Sequence, residues 1–273
     1  MIIKISTWNV NSIRSRITNL KNWIKDSKPD IILLQELKCL EEQFPFLELT
    51  DLNYNTVLKG QKSYNGVAIL SKFPLYDIVY DLPLYNISKS DLESRYIEAR
   101  CDISGKSLKI SSIYVPNGGT TEEVEDITET EKFYNKMRFY KRLQKKFEED
   151  IKNGENAIYG GDFNVCPNLY IDVYSPKKDG SITCHFKERN AFQDLLNVGI
   201  NDVFRDKNKD LMEFSWWGYR PMTMFEKNQG YRLDAILTNK FTNNFIKDCY
   251  IEKNIRKQEK PSDHAPMTCI VEI

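Results

Sequence analysis

Two polar side chains at the end of one predicted strand could carry out hydrolytic chemistry. The segment 158–165 reads Ile-Tyr-Gly-Gly-Asp-Phe-Asn-Val, a short apolar run with two glycines that favours a buried strand entering a tight turn. Asp162 and Asn164 are two residues apart, so in extended backbone both side chains point to the same side. A carboxylate base beside a neutral donor and acceptor suits a hydrolase that must deprotonate and orient a water. A hydrogen-bonded turn explains this segment alone equally well, because Gly, Asp and Asn favour turns.

Further polar residues lie at the ends of other predicted strands. The full set, from six separate segments, is Asn9, Asn11, Glu36, Tyr114, Asp162, Asn164, Asp234, Asp263 and His264. If two sheets bring these ends to one edge, three or more carboxylates meet there, and like charges so close need a cation. Oxygen ligands in a chain with only two histidines favour Mg²⁺ or Mn²⁺ over zinc. A hard metal, a histidine and a carboxylate suit hydrolysis of a phosphate ester.

Two other kinds of catalytic site lack their motifs. The sequence has no Gly-x-Ser-x-Gly elbow for acyl transfer by a serine nucleophile, and no Gly-x-x-x-x-Gly-Lys loop for nucleoside triphosphates. Purely structural explanations remain for two members of the set. Asn9 could be a turn former, and Tyr114 could mark the edge of the core.

The bulk properties are those of a globular protein with no bias towards polyanions. The 273 residues are 41% hydrophobic and 29% charged, and 39 basic residues balance 39 acidic ones, so a basic DNA-binding face has to be local. The six cysteines are widely spaced, which predicts reduced thiols in a cytoplasm. The N-terminal residues read as a strand rather than a signal peptide, and no apolar run reaches membrane length.

The order of the predicted elements indicates one α/β domain spanning 1–273. About ten strands are expected with few helices, and this exceeds one comfortable sheet, so two stacked sheets with helices outside fit better. A long amphipathic helix is predicted from 133 to 151, after a solvated acidic stretch at 120–131. Two strands that end at an Asn-bearing turn, Trp8-Asn9 and Phe163-Asn164, predict duplicated halves facing across a pseudo-dyad.

Eight ordered motifs carry a resemblance to a known family. They are Thr7-Trp8-Asn9-Val10-Asn11-Ser12-Ile13-Arg14, Leu34-Gln35-Glu36, Asn65-Gly66-Val67-Ala68-Ile69, Tyr114-Val115-Pro116-Asn117-Gly118, Gly161-Asp162-Phe163-Asn164, Trp216-Trp217-Gly218-Tyr219-Arg220, Tyr231-Arg232-Leu233-Asp234 and Ser262-Asp263-His264-Ala265-Pro266. In this order they resemble the exonuclease III family of apurinic/apyrimidinic endonucleases of DNA repair, over residues 1–273. The resemblance implies a four-layer α/β sandwich, with two stacked, mainly antiparallel sheets flanked by helices and the site at one sheet rim.

The same resemblance implies a role for each polar residue. Glu36 is expected to bind Mg²⁺, with Mn²⁺ as the alternative ion, and Asn9, Asn11 and Asp263 are expected around the metal. Asp162 is expected to activate a water that Asn164 aims. His264, held by Asp234, is expected to polarise the scissile phosphate, and Tyr114 to hydrogen-bond that phosphate or its leaving oxygen.

The resemblance also implies a substrate, double-stranded DNA with abasic sites or blocked 3′ ends. The residues expected to bind it are Arg95, Lys136, Arg189, Trp216, Arg220 and Tyr231. With Arg14 and Arg16 the basic members form a predicted basic strip, and Trp216 and Tyr231, with Phe214 or Phe225 as further wall, form a predicted pocket for an abasic sugar. Trp217 is expected in the core.

The implied protein is a monomeric Mg²⁺-dependent nuclease that cuts 5′ to abasic sites and trims 3′ ends. It is expected to act on the nucleoid in a bacterial-type cytoplasm, away from membranes. Two other hypotheses stay open at this point. One is a phosphatase of the wider superfamily that acts on another phosphoester, and the other is a DNA-binding relative without catalysis.

Overall fold

The computed structural model describes residues 1–85, 93–119 and 125–273, apart from the side chains of Met222 and Phe241. The strands are β1 (Ile2–Asn9), β2 (Ile31–Gln35), β3 (Asn55–Lys59), β4 (Val67–Ser71), β5 (Tyr76–Val79), β6 (Tyr96–Ile103), β7 (Lys106–Tyr114), β8 (Ala157–Asp162), β9 (Ile200–Asp202), β10 (Asp234–Asn239), β11 (Ile246–Ile251) and β12 (Met267–Glu272). The helices are α1 (Ile17–Ser27), α2 (Phe46–Leu49), α3 (Glu131–Lys152), α4 (Phe186–Asn197), α5 (Val203–Lys207) and α6 (Lys240–Asn243).

These strands form two six-stranded sheets with the same internal plan. The first has the order β11-β12-β1-β2-β4-β3 and the second the order β5-β6-β7-β8-β10-β9, so that β7 to β12 repeat the arrangement of β1 to β6. Each sheet has one parallel pair, β1 with β2 and β7 with β8, and its other pairs are antiparallel. The predicted duplication is confirmed, but the predicted equivalence is wrong. β1 corresponds to β7, and β8 corresponds to β2, so Asn9 and Asn164 do not end equivalent strands.

The apolar side chains divide the molecule into four layers. Because neighbouring residues of a strand face opposite sides, Ile31 and Leu33 of β2 pack against the second sheet, while Ile32 and Leu34 pack against α1. On the other side, the second sheet packs against α3 and α4 through a cluster that includes Phe147 and other buried aromatic residues. This confirms the predicted four-layer α/β sandwich.

The two long outer helices have local sequence reasons for their limits. Helix α1 ends at Ser27 because Lys28 turns into the left-handed region and Pro29 follows. Helix α3 begins after Thr130, whose hydroxyl accepts a hydrogen bond of 3.2 Å from the Phe133 amide. Of the acidic stretch 120–131, residues 120–124 lie outside the described residues, and a 3₁₀ turn occupies Ile127–Glu129. Within the described part, no helix has the length and apolar character to span a membrane.

The glycine pair of β8 allows close backbone approach at the centre of the sandwich. A Cβ atom on Gly161 would lie 1.9 Å from the carbonyl oxygen of Ile113 in β7. A Cβ atom on Gly160 would lie 2.5 Å from the Cδ1 atom of Leu33 in the opposite sheet. Both positions therefore exclude a larger side chain, but the first obstacle is backbone and the second is the end of a flexible side chain.

We predict that Gly161→Ala destabilises the fold more than Gly160→Ala. Overpacking costs about 1–3 kcal/mol where neighbours can move, and Leu33 can move whereas the backbone of β7 cannot. Urea unfolding measures both free energies. The double variant Gly160→Ala/Leu33→Val should recover much of the smaller loss, and a Gly161→Ala protein as stable as the parent would contradict the assigned close approach.

Candidate active site at the rim of the two sheets

The central strands of both sheets end at the same rim, and their register places the site. In the first sheet, Asn9 at the end of β1 lies opposite Gln35, which is followed directly by Glu36. In the second sheet, Asp162 at the end of β8 lies opposite Tyr114 on one side and opposite Asp234 on the other. Strand pairing thus brings together side chains that are up to about two hundred residues apart in the sequence.

Three of the site residues adopt left-handed backbone conformations just after a strand. The φ angles are 45° at Asn11, 54° at Glu36 and 51° at Asn164. Such angles are uncommon outside glycine, although asparagine tolerates them best. For Glu36 the strained conformation turns the side chain back over the rim of the sheet, which is the kind of local strain found at functional sites.

Asn9 connects the two sheets by a hydrogen bond to a carboxylate of each. Its side-chain Nδ2 donates to Glu36 Oε1 at 2.8 Å and to Asp162 Oδ2 at 2.9 Å. Its Oδ1 faces the other way and accepts a hydrogen bond from the Asn11 amide at 3.0 Å. The metal role of Asn9 stays a prediction. Asn9 is a fully buried positioning residue that holds two carboxylates with one amide group.

His264 lies between two buried carboxylates. Its Nδ1 is 2.8 Å from Asp234 Oδ2, and its Nε2 is 3.6 Å from Asp162 Oδ2. Burial alone would lower the pKa of His264, but the negative charges of Asp234 and Asp162 raise the pKa to about 10. The imidazole is therefore positively charged at neutral pH. The predicted His264–Asp234 pair is confirmed as a hydrogen-bonded contact.

Asp162 is the buried carboxylate at which these contacts meet. Burial raises the pKa of Asp162 to about 7, although the charge of His264 and the hydrogen bond from Asn9 oppose this rise. A base whose pKa lies near the working pH is well suited to take a proton from water. Asn164 orients it through the backbone, because the Asn164 amide donates to Asp162 Oδ1 at 2.9 Å.

The side chain of Asn164 is committed to the loop that follows β7. Its Nδ2 donates to the carbonyl of Val115 at 2.9 Å, and its Oδ1 accepts from Asn117 Nδ2 at 3.1 Å. Asn117 was not among the predicted site residues. Its position directly after Tyr114-Val115-Pro116 was the available signal, since the loop after one site strand contacts the loop after the next.

Glu36 accepts hydrogen bonds from Tyr114 and Asn9 and forms an ion pair with Lys38, which was not among the predicted site residues. The Tyr114 hydroxyl donates to Oε1 at 2.9 Å, beside the bond from Asn9, and Lys38 Nζ lies 2.7 Å from Oε2. Burial opposes ionisation of Glu36, but Lys38 and the Asn9 hydrogen bond outweigh it and lower the pKa. Lys38 also donates to Asn11 Oδ1. The Lys38 ammonium group thus shows that a cation fits between Glu36 and Asn11.

The donor set at this place fits a hard metal ion. Glu36 supplies an ionised carboxylate and Asn11 an amide oxygen, the oxygen donors that Mg²⁺ and Mn²⁺ take. The described part of the chain has no group of three His, Cys, Asp or Glu side chains gathered as a metal cage. Mg²⁺ needs no such cage, because it keeps several waters and is held through one or two carboxylates.

Two neutral hydrogen-bond donors hold the carboxylate of Asp263. Asn11 Nδ2 donates to its Oδ1 at 2.9 Å, and Trp216 Nε1 donates to its Oδ2 at 3.0 Å. Burial would raise the pKa of Asp263, but the charge of His264 and these bonds lower it. The position of Asp263 around the metal stays a prediction. Its anionic charge lies next to His264, and its hydrogen bond orients Asn11.

The predicted aromatic pocket is only partly supported by the packing. The rings of Trp216 and Tyr231 are half-buried and meet edge to face, with centroids 5.2 Å apart. Tyr174 extends this group, with its ring centroid 5.7 Å from that of Tyr231. Phe214 is 1% exposed and belongs to the core, so its prediction as a pocket wall is wrong. Trp217 is fully buried, as predicted.

The loop that carries Arg220 is attached to the site rim by its tyrosine. The Tyr219 hydroxyl donates to the carbonyl of Pro261 at 2.8 Å and accepts from Arg16 Nη2 at 3.0 Å. Arg16 also donates to the carbonyl of Asn11 at 2.7 Å. Arg16 therefore has a structural role in the predicted basic strip, whereas Arg14 and Arg220 are exposed members of it.

Two other predicted DNA ligands are bonded to the protein itself. Lys136 is fully buried, and its Nζ contacts Glu188 and the carbonyls of Asn117 and Asn164 at 3.0 and 2.7 Å. The prediction that Lys136 binds DNA is wrong, because the ammonium group cannot reach a phosphate. Arg189 pairs with Asp179 at 2.9 Å and donates to a carbonyl in the same loop, and its role in DNA binding stays a prediction.

Arg95 remains near the site without entering it. Its guanidinium carbon lies 4.7 Å from the centroid of the Tyr114 ring, and its Nε pairs with Glu93. The stacking fixes the tyrosine whose hydroxyl reaches Glu36. His185, to which no role was predicted, caps helix α4 by accepting from the Lys187 amide at 3.2 Å.

Comparisons with known proteins agree on one family. A model of the Endonuclease/Exonuclease/phosphatase family matches residues 6–264. Exodeoxyribonuclease III of Haemophilus influenzae is 32% identical over 97% of this chain and 98% of its own. Among solved structures, an AP endonuclease from Archaeoglobus fulgidus is 33% identical with a TM-score of 0.88, covering 99% of this chain and all of its own. A 3′ phosphatase from Neisseria bound to product DNA hairpin has the same TM-score and coverage at 32% identity.

We predict that Lys136→Met lowers the free energy of unfolding by about 3–5 kcal/mol, because removing one partner leaves the buried Glu188 carboxylate uncompensated. Urea unfolding measures the loss. Lys136→Met/Glu188→Gln should recover part of it, since glutamine is neutral and still able to accept the bond from the His185 amide that Glu188 accepts at 2.9 Å. A single variant as stable as the parent would contradict the buried ion pair.

Proposed function

The chain belongs to the Endonuclease/Exonuclease/phosphatase family, and we propose that it is a DNA repair nuclease that hydrolyses the phosphodiester 5′ to abasic sites and trims 3′ ends. The family is metal-dependent, and one structural relative, a 3′ phosphatase from Neisseria, is bound to a product DNA hairpin. The observation that carries the proposal is the position of His264 between the carboxylates of Asp234 and Asp162, beside Glu36 and its ion pair with Lys38. That combination serves hydrolysis of a phosphate ester better than acyl transfer.

Asp162 acts as the general base in this proposal. Its pKa near 7 lets it take a proton from water at neutral pH. The hydrogen bonds from Asn9 and the Asn164 amide fix the orientation of the carboxylate, so its remaining lone pairs point in one direction. A water between Asp162 and the phosphate would then attack in line with the leaving oxygen. General-base steps of this kind contribute roughly 10²–10⁴-fold to rate.

His264 and Tyr114 bind the phosphate that is attacked. The imidazolium is held by Asp234, so its Nε2–H is available to an oxygen of the phosphate as negative charge develops. The Tyr114 hydroxyl, now bonded to Glu36, is placed to donate to a phosphate oxygen or to the leaving oxygen. Burial and the nearby carboxylates raise the pKa of Tyr114 well above its usual value, so the hydroxyl keeps its proton.

We propose Mg²⁺ as the metal, held by Glu36 with Asn11 and waters. The bound ion would supply Lewis-acid stabilisation of the negative charge on the phosphate oxygens. Lys38 would yield the place between Glu36 and Asn11 to the ion, since the two cations would repel each other there.

The proposed substrate is duplex DNA, read at the abasic site by shape. An enzyme acting on a missing base must take the sugar out of the helix and reject a normal nucleotide. Trp216 and Tyr231 are the proposed walls of that pocket, and the exposed Arg220 on the same loop is the proposed phosphate anchor. We further propose that the protein acts as a monomer in a reducing cytoplasm, on DNA of the nucleoid.

Gel analysis of labelled duplexes tests the function directly. Purified protein is incubated with abasic, nicked and blunt duplexes in Mg²⁺ or in chelator. The proposal expects Mg²⁺-dependent incision 5′ to the abasic site and removal of blocked 3′ ends. Hydrolysis of a small phosphomonoester with no DNA cleavage would favour the phosphatase hypothesis, and DNA binding without cleavage would favour the non-catalytic one.

We predict that Asp162→Asn lowers the rate of abasic-site incision by about 10²-fold or more, because the variant loses the general base. DNA binding should survive, since removal of a negative charge does not weaken attraction to phosphates. Single-turnover kinetics and fluorescence anisotropy separate the two effects. Asp210→Asn, an exposed aspartate, is the matched control. Near-parental turnover of the Asp162 variant would remove this residue from the mechanism.

We predict different outcomes for the two pocket walls. Tyr231→Ala should weaken incision at abasic sites relative to 3′-end trimming, by about 1–3 kcal/mol of lost contact between the pocket wall and the sugar, because only its ring is removed. Trp216→Ala should lower both activities, because it also frees Asp263. The ratio of the two rates for each variant, measured on matched duplexes, is the readout. An unchanged ratio in Tyr231→Ala would end the pocket assignment.

A further inference from the structure

A cavity of about 380 Å³ opens beside the site, on the side of Tyr114 and Asn117. The segment just before β6, the loop after β7 and helix α3 line it. Among the described residues that line it, four are cations, Arg95, Lys132, Arg138 and Arg142, and one is a carboxylate, Glu93. In a chain with zero net charge, this is a strong local excess of positive charge, and it favours an anionic ligand.

Three of the cations come from one face of helix α3. Lys132, Arg138 and Arg142 are spaced by six and four residues, and Asn135 fills the position between the first two, so all four residues project to the same side of the helix. The other face of α3 is a buried apolar stripe that includes Phe133 and Tyr140. The cations are therefore arranged along the cavity rather than scattered over the helix.

The four cations differ in how many of their hydrogen-bond donors already have partners within the protein. Arg142 donates to the carbonyls of Pro83 and Leu82 and forms a fixed wall of the cavity. Arg138 contacts Glu131 at 2.7 Å at the surface, where its side chain is 39% exposed, and Lys132 is exposed. Arg95 is 13% exposed, and its Nη1 is buried without a hydrogen-bond partner among the described residues. A buried, unpaired guanidinium donor at a cavity wall calls for an acceptor such as a phosphate oxygen.

Two contacts join the cavity to the catalytic residues. Arg95 stacks on the Tyr114 ring, and the Tyr114 hydroxyl reaches Glu36. Asn117, at the other wall, donates to Asn164 Oδ1. A ligand in the cavity would therefore lie next to the substrate and not at a remote surface.

We propose that this cavity binds an internal backbone phosphate of the DNA strand, distinct from the phosphate that is cleaved. The proposal rests on the proposed function and adds a second phosphate subsite to it. The exposed cations Lys132 and Arg138 attract the strand, and Arg95 Nη1 donates to a phosphate oxygen. A phosphate held there positions the strand along Tyr114 and Asn117, because phosphate contacts fix the register of the substrate.

The test combines charge removal on the protein with charge removal on the DNA. Lys132→Gln/Arg138→Gln keeps a polar side chain at both positions while removing two cations of the cavity. Lys141→Gln removes one exposed cation that lies on α3 outside the cavity and is the matched control. Binding to an abasic duplex is measured by fluorescence anisotropy in chelator at several salt concentrations. The double variant should have a log K against log salt slope shallower by about one to two, because each lost phosphate contact changes it by about one.

A methylphosphonate scan identifies the phosphate. Each internal phosphate near the abasic site is replaced in turn by an uncharged methylphosphonate. The parent should lose affinity at one internal position at which the double variant loses less, since two of the cations near that phosphate are already absent and only Arg95 remains. The Lys141→Gln protein should keep the full loss at that position.

Three results would overturn the subsite. One is a salt slope of the double variant equal to that of Lys141→Gln, and another is equal sensitivity of parent and double variant at every position. The third is an effect confined to terminal phosphates or abolished by millimolar inorganic phosphate, which would assign the cavity to a free phosphate group. Mg²⁺-dependent cleavage by the parent is assayed in the same preparation. If the parent cleaves DNA and any of these results is found, only the proposed subsite is wrong. If the parent neither binds nor cleaves DNA, the proposed function is wrong as well.

Discussion

Buried negative charge is the constraint around which the site is built. Asp162 and Asp234 are 1% exposed, and Asp263 and Glu36 lie beside them at the rim. Each buried ion costs several kcal/mol unless charge or hydrogen bonds compensate it. His264 compensates the two aspartates of the second sheet, and Lys38 compensates Glu36. Because Asp234 and Asp162 raise the pKa of His264, its positive charge both holds the rim together and attracts a phosphate.

The duplicated sheets explain how so few local contacts create the site. Each sheet has one parallel pair at its centre, and in each the connecting helix lies on the outer face. The four central strands therefore end at the same rim and carry Asn9, Glu36, Tyr114 and Asp162 towards one another. The close approach at Gly160 and Gly161 lets β8 lie against both its neighbour and the opposite sheet. Asn9 then needs only a single amide group to join the two halves.

The sequence predicted most of this arrangement because strand ends and turn residues are local signals. The four layers and the contact of His264 with Asp234 were implied by the family resemblance, and the structure shows both. The described residues form twelve strands where about ten were expected, because partly polar strands such as β3 and β5 are recognised only by their pairing in the folded sheet. The two hydrogen bonds by which Asn9 joins the carboxylates of both sheets were not predicted, because they are likewise set by tertiary neighbours.

Lys136 and Lys38 show the same limit from opposite sides. Lys136 is three residues after Phe133 and four before Tyr140, so it belongs to the buried stripe of α3, and this spacing was a usable signal against a DNA contact. Its partner Glu188 is 52 residues away and is not suggested by any local pattern. Lys38 lies two residues beyond Glu36, and its importance comes from the left-handed turn at Glu36 that folds the loop back on itself.

The charge on His264 at neutral pH tests the central claim most directly. The chain has two histidines, so His185→Asn, which keeps a good helix cap, leaves one imidazole for ¹⁵N NMR. Because Asp234 and Asp162 raise the pKa of His264 to about 10, the ring should show imidazolium shifts at pH 8, with or without Mg²⁺. Asp234→Asn should lower that pKa, since it removes the nearer carboxylate. A neutral imidazole at pH 8 in the otherwise unchanged protein would contradict the account.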